Sequence, residues 1–215
     1  MDNACVLSGT PQLPAGCVAL TFDDGPGPRT AELAQLLRAE QVPATFFVLG
    51  ESIERYGEVL DTVRDCGHPI GLHADQHHPF ESAEQAADQL ASCRARIPDH
   101  LSGPAWYRPP YGIGDYPLPG HAGPIGWHAD GRDWDITYRQ GQTVAGCVEQ
   151  ILAALVRSAG GVVLLHDFAP RTEFLARGFT EDQLDLRVLE VTTLLIERLR
   201  ERGFRLAGLP DPTPP

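Results

Sequence analysis

The chain contains no apolar run approaching the ~18–20 residues of a membrane-spanning helix, and no two of its five cysteines form a C-x-x-C pair. The first absence excludes a helical membrane span. The second argues against a cysteine zinc knuckle or a dithiol redox centre. Cys5, Cys17, Cys66, Cys93 and Cys147 are odd in number and widely scattered, so they read as reduced, mostly buried thiols. Positive charge is scarce too: 17 basic against 29 acidic side chains give a formal charge of −12. A nucleic-acid reader or a polybasic membrane-surface protein needs the opposite balance. Internal repeats and biased tracts are missing, which removes collagens and coiled coils.

What is present is a chain of 215 residues, 42% hydrophobic, with 22 glycines and 19 prolines. That length suits one domain, and the Gly and Pro content suits a fold with many turns. Short β-rich runs alternate with amphipathic stretches. Strands are predicted at 18–22, 44–49, 69–72, 105–107, 125–128, 161–165 and 203–209, and helices at 30–39, 53–65, 82–93, 143–159 and 184–202. Such alternation implies parallel strands joined by right-handed crossovers, an α/β fold of barrel type. A complete eight-unit barrel takes about 250 residues, so this one is short by a unit or more. The layout divides into an N-terminal tail, 1–16, a catalytic domain, 17–209, and a Pro-rich tail, 210–215. The first apolar run, Ala4 to Leu7, is too short for a signal-peptide core, which points to a cytoplasmic protein.

The chemistry-bearing residues follow the strands, on the face where such folds place active sites. Asp23-Asp24 precedes Gly25-Pro26. Either it is ordinary turn chemistry, or one carboxylate binds a metal while the other acts as a base. His73 and His77 are four apart, a spacing that lets two imidazoles share one ion but that also arises by chance among eight histidines. With Asp24 they would make an open three-ligand site. Arg108-Pro109-Pro110-Tyr111-Gly112 is a stiff loop, with a surface arginine in its plainer reading. His166 follows a buried strand. It reads as a satisfied core histidine or, held by Asp133, as a general acid.

In order along the chain stand VALTFDDGP at 18–26, PATFFVLG at 43–50, His73 with His77, RPPYG, D-x-x-D-W at 130–134 and LLHD at 164–167. Together they resemble the polysaccharide deacetylase family, carbohydrate esterase family 4 or the NodB-homology domain, over roughly residues 17–209. The resemblance implies a distorted, incomplete (β/α)7 barrel and metal-dependent hydrolysis of an acyl group, usually the N-acetyl group of an amino sugar. It implies Asp23 as catalytic base, and Asp24, His73 and His77 as ligands of a divalent metal. Zinc suits that donor set first, with cobalt or nickel also suited. It further implies Arg108 orienting the base, the Tyr111 amide meeting the oxyanion, and Asp133 supporting the acid His166. Trp134 and Leu164 become the walls of an acetyl-methyl pocket.

Three positions depart from the family pattern. Ala74 stands where a hydroxyl residue usually follows the first histidine, Leu72 stands where a polar residue precedes it, and residues 113–126 are too rich in Gly and Pro to form the usual helix. That stretch is read as a lid over a pocket. The expected partner is therefore a small, soluble N-acetylated amino sugar, with no nucleic acid and no membrane. A C–N hydrolase or deformylase of small non-sugar amides is the alternative. A binding module without catalysis would not need the complete set of base, ligands, arginine and acid.

Overall fold

Seven consecutive buried residues, Cys17–Asp23, form the central strand β1. The computed structural model describes residues 3–97, 104–138, 141–184 and 186–212; Met1, Asp2 and positions 213–215 of the Pro-rich end lie outside the described residues. Strands β1, β2 (Ala44–Leu49), β3 (Ile70–Ala74), β4 (Ala129–Asp130) and β5 (Gly161–His166) pair in the order β3-β2-β1-β5-β4, all parallel. Unbroken burial along β1 and β2 shows both faces covered, as parallel sheets require. Helices α1 (Thr30–Ala39), α4 (Ala83–Ala95), α6 (Val144–Ser158) and α8 (Val188–Glu201) form the outer layer. They turn Leu33 and Leu37, Leu90, Ile151 and Leu155, and Val191 and Leu195 into one core. Two starts are capped by side chains, Ser82 accepting from Gln85 N and Thr143 from Gly146 N.

The barrel is distorted where the sequence is weakest in strand formers. The strand predicted at 105–107 is reduced to single bridges, Tyr107 to Leu72 and Trp106 to Ala122, and the one predicted at 125–128 is displaced to β4. Between them the Gly- and Pro-rich segment offers no continuous ladder. The predicted helix 53–65 is broken by a tight turn at Gly57–Val59 into α2 (Gly50–Tyr56) and α3 (Leu60–Asp65). The final strand shrinks to β6 (Arg205–Leu206), which pairs only with Cys17 and Val18, because β2 takes the same edge of β1 from Leu20 onward. Two short helices were not foreseen, α5 (Trp134–Tyr138) and α7 (Arg171–Ala176). Among the described residues, no helix is long and apolar enough to cross a membrane.

The N-terminal segment read as a tail is a strap along its described part. Cys5 pairs with Trp127, the Trp127 indole donates to Asn3 O at 2.7 Å, Gly9 N donates to Pro124 O at 3.0 Å, and Gly126 N donates to Thr10 Oγ1 at 2.8 Å. It thereby supplies partners to the backbone of 123–127, which the sheet leaves unpaired.

The turn carrying Asp23-Asp24 is fixed by close packing. Leu49 N donates to Gly25 O at 2.8 Å, and a Cβ at Gly25 would stand 2.1 Å from Asp167 Oδ2, itself held by the Thr30 hydroxyl. Gly25→Ala is expected to cost about 1–3 kcal/mol, the range for overpacking a filled site. Denaturant unfolding checks it: an unchanged midpoint would show that Asp167 is free to move.

Candidate active site

The C-terminal ends of β1, β3, β4 and β5 converge on a cavity of about 340 Å³. It is lined by Asp23, Asp24, His73, His77, Leu164 and His166, with Tyr111, Trp127, Asp130 and Trp134 on the barrel side. Every residue given a catalytic, ligand or pocket role in the sequence either lines it or, like Arg108 and Asp133, lies directly behind a residue that does.

The carboxylate pair is split by its partners. Asp23 Oδ1 accepts from Arg108 Nη1 at 2.7 Å, and Arg108 has no exposed surface at all. The guanidinium also donates to Thr21 Oγ1 at 2.9 Å and Gly126 O at 3.1 Å, and stacks 4.5 Å from the Phe47 ring. Asp24 turns the other way, at a φ of 73°, with Ser52 Oγ donating to its backbone oxygen at 2.8 Å. Its Oδ1 lies 3.3 Å from His73 Nε2 and 3.5 Å from His77 Nε2. Burial opposes its charge, but His77 and His73 outweigh that and hold its pKa down at about 2.

These three side chains fit a metal. Asp24 Oδ1 is buried without a hydrogen-bond partner, and one ligand atom from each of Asp24, His73 and His77 lies within 4.8 Å of the others. An orphaned buried acceptor facing two imidazole nitrogens is costly unless a cation sits among them. Both rings are oriented from behind. His73 Nδ1 bonds Arg108 O at 2.8 Å, and His77 Nδ1 bonds Glu173 Oε2 at 2.8 Å, leaving each Nε2 toward Asp24.

Opposite the ligands, Asp133 Oδ1 bonds His166 Nδ1 at 2.8 Å, while its Oδ2 accepts the His166 backbone N–H at 2.7 Å. Burial alone would lower the imidazole's pKa. The Asp133 charge and hydrogen bond, with Asp24 and Asp23 behind them, push it up to about 10 instead. That direction favours the protonated ring, a proton donor held in place by Asp133.

The sequence reading missed a wall. Ala169, Pro170, Glu173, Phe174, Arg177 and Leu186 close the cavity on the side of His77, and Tyr138 stacks on Phe174 at 4.2 Å. The Tyr138 phenol oxygen is buried without a hydrogen-bond partner among the described residues. The only signal for this wall was the length of 167–187 between the LLHD motif and the last helix. The lid read at 113–126 is corrected accordingly: none of its residues lines the cavity, because Asp115, Pro124 and Gly126 are tied to the N-terminal strap and Ile113 and Tyr116 to Phe80 and Glu81.

An incomplete parallel barrel with an Asp-His-His cradle, an arginine-held carboxylate and an aspartate-held histidine at its C-terminal face defines a metal-dependent hydrolase. A family model for polysaccharide deacetylase matches residues 10–118. The chain is 32% identical over 206 residues to a chitooligosaccharide deacetylase of Bradyrhizobium, covering 90% of this chain and 89% of that protein. It is 32% identical over 162 residues to a peptidoglycan-N-acetylglucosamine deacetylase of Bacillus cereus, covering 70% and 72% of the two. In fold it is similar to the Bc1960 peptidoglycan N-acetylglucosamine deacetylase, with a TM-score of 0.68 at 23% identity over 94% of this chain and 89% of that one. A family 4 carbohydrate esterase from Streptomyces lividans matches at 0.63 and 19% identity over 97% and 94%. The chain belongs to the polysaccharide deacetylase family, whose members are metal-dependent.

Metal content tests the cradle directly. The purified protein is expected to hold one divalent ion per chain, lost in Asp24→Ala and His77→Ala and kept in Asp23→Asn. Elemental analysis after gel filtration decides it, and retention of the ion in His77→Ala would refute the ligand set.

Proposed function

We propose that this deacetylase hydrolyses the acetamido group of a short, soluble amino-sugar substrate, with zinc as its metal. The observation that carries the reading is the arrangement of three differently charged units, Asp23–Arg108, Asp24–His73–His77 and Asp133–His166, around one cavity. When bound, the ion polarises the amide carbonyl and acidifies the attacking water. Asp23 takes that water's proton. Its Oδ1 is held by Arg108, which leaves Oδ2, 3.9 Å from His73 Nε2, for the task. The Tyr111 backbone N–H meets the oxyanion, and His166 delivers its proton to the departing amine nitrogen, so that acetate and a free amine leave. Trp134 and Leu164 flank the acetyl methyl.

Substrate size is read from the cavity. About 340 Å³ lies at the small end of ligand pockets, and α7 closes one side of it. The near-full-length relative from Bradyrhizobium carries the name chitooligosaccharide deacetylase, which supports a short amino-sugar chain over a small non-sugar amide.

Three measurements test the proposal. Asp23→Asn should lose most turnover, and His166→Ala should lower kcat by roughly 10²–10⁴-fold, the span of one acid–base group. The acid works only while protonated, so activity falls as pH rises through the His166 pKa. Asp133→Asn removes the charge that raises that pKa, and the alkaline limb of the kcat/KM profile should move to lower pH. A limb that stays in place would remove His166 as the acid. Acetate release from N-acetylglucosamine, its short oligomers and insoluble chitin, compared in one buffer, should level off at short oligomers; a kcat/KM that climbs steadily with chain length would mean an open groove.

A further inference from the structure

The two histidines of the cradle are supported by chemically different groups. His73 leans on a neutral carbonyl of the barrel wall, Arg108 O. His77 leans on a carboxylate, Glu173 Oε2, brought 96 positions along the chain by α7. That carboxylate is only 15% exposed and fully engaged. Oε2 also accepts from the Tyr111 hydroxyl, and Oε1 pairs with Arg177. Burial works against its charge, but the bonds from His77 and Tyr111 and the charges of His77 and Arg177 hold it below the usual carboxylate range.

Tyr111 is held in an uncommon state. Its φ of 59° and ψ of 5° lie in the left-handed region, which a bulky side chain seldom adopts without support. Its ring packs against His77 with centroids 4.3 Å apart, and its phenol ends on Glu173. One oxygen therefore restrains both a metal ligand and the residue whose amide faces the oxyanion.

Resting on the deacetylase reading above, we propose that Glu173 is a positioning residue of the hydrolytic site, completing a carboxylate–histidine–metal triad through His77 and fixing the Tyr111 loop with the same oxygen. Its anionic acceptor locks the His77 tautomer with Nε2 toward the ion and strengthens that nitrogen as a ligand. Its hold on the phenol keeps the Tyr111 amide aimed when the reacting carbonyl arrives. A helix outside the recognisable motifs thereby ties metal capture to oxyanion binding.

The test measures zinc affinity first. The full-length protein and its Glu173→Ala, Glu173→Gln and Tyr111→Phe variants are stripped with a chelator, checked for folding by circular dichroism, and titrated with zinc against a chromophoric competitor. Glu173→Ala should bind zinc about 10–100-fold more weakly, the range for loss of a group supporting a ligand. Glu173→Gln, which keeps an acceptor without the charge, should fall between it and the parent, and carries the test alone if the alanine variant does not fold. Tyr111→Phe should bind zinc as the parent does. At saturating zinc, Tyr111→Phe and Glu173→Ala should both lower kcat with KM little changed. Glu173 variants that bind zinc as tightly as the parent would overturn the proposal, as would a Tyr111→Phe variant that loses zinc to the same degree. A parent that binds zinc and releases acetate beside unaffected Glu173 variants sinks only this inference; a parent that does neither sinks the deacetylase reading itself.

Discussion

The Arg108 guanidinium, sealed from solvent between Phe47 and Trp127, is the interaction on which the site and the barrel both depend. Burying a cation costs several kcal/mol unless it is paired and its donors are used. Here Asp23, Thr21, Gly126 and Ile125 all accept from it. Those acceptors belong to β1 and to the 125–126 segment, two parts of the wall that no continuous ladder joins. Its backbone continues the job: the amide donates to Leu72 O at 3.0 Å, and the carbonyl receives His73 Nδ1. One residue therefore bridges the gap in the barrel, anchors Asp23 and orients His73. Deleting its side chain would leave the Asp23 charge buried without its partner, so the fold and the chemistry fail together.

The remaining carboxylates show how so acidic a pocket is tolerated. Asp24 faces two imidazoles and is held charged, while Asp133 faces the imidazole it keeps protonated. Asp167 has no cation acting on it, and at Asp130 burial, with the Asp133 charge, outweighs His166 and Arg132. Burial pushes Asp130 up to about 6 and Asp167 up to about 7, the latter raised further by Asp24 and Asp23. Charge persists where cationic groups outweigh burial and recedes where burial wins. The negative potential is thereby concentrated at the cradle, where a divalent ion is attracted most strongly.

How much of this was legible in the sequence follows from contact distance along the chain. The candidate constellation was legible because its residues stand at or just beyond the C-terminal ends of strands, and parallel strands bring those ends to one face. For Asp23, His73 and His166 that rule gave the place, while their roles came from the family that the ordered motifs resemble. Local periodicity placed α1 and β2 at their observed bounds. It failed where long-range contact decides the outcome. The strap at 3–16 has no pattern of its own and is ordered by carbonyls and amides more than 100 positions away. Glu173 sits in a six-residue helix with no buried face, so no apolar period announces it. The assignment of 113–126 as a lid failed for the same reason: its composition excluded a helix, as observed, but could not say which side of the barrel it would cover.

The departure at Ala74 now has a structural context. A hydroxyl at that position would have supported the ligand loop from within the motif, yet Ala74 is buried at the end of β3 with only a methyl group to offer. Support arrives from outside instead. Asp75 pairs with Arg96 beyond the end of α4 at 2.7 Å, and its carbonyl accepts from Glu51 N at 2.9 Å. Gln76 N donates to Gln89 of α4 at 3.1 Å, and His77 is braced by Glu173 of α7. Three elements grip three successive residues of the loop. Such clamping restricts the imidazole more than one short hydroxyl bond could, because it fixes the backbone on both sides of the turn as well as the ring. The brace also occupies the space beside His77, so the same helix that steadies this imidazole closes one side of the cavity. Ligand support and pocket size are, in this chain, two consequences of one helix.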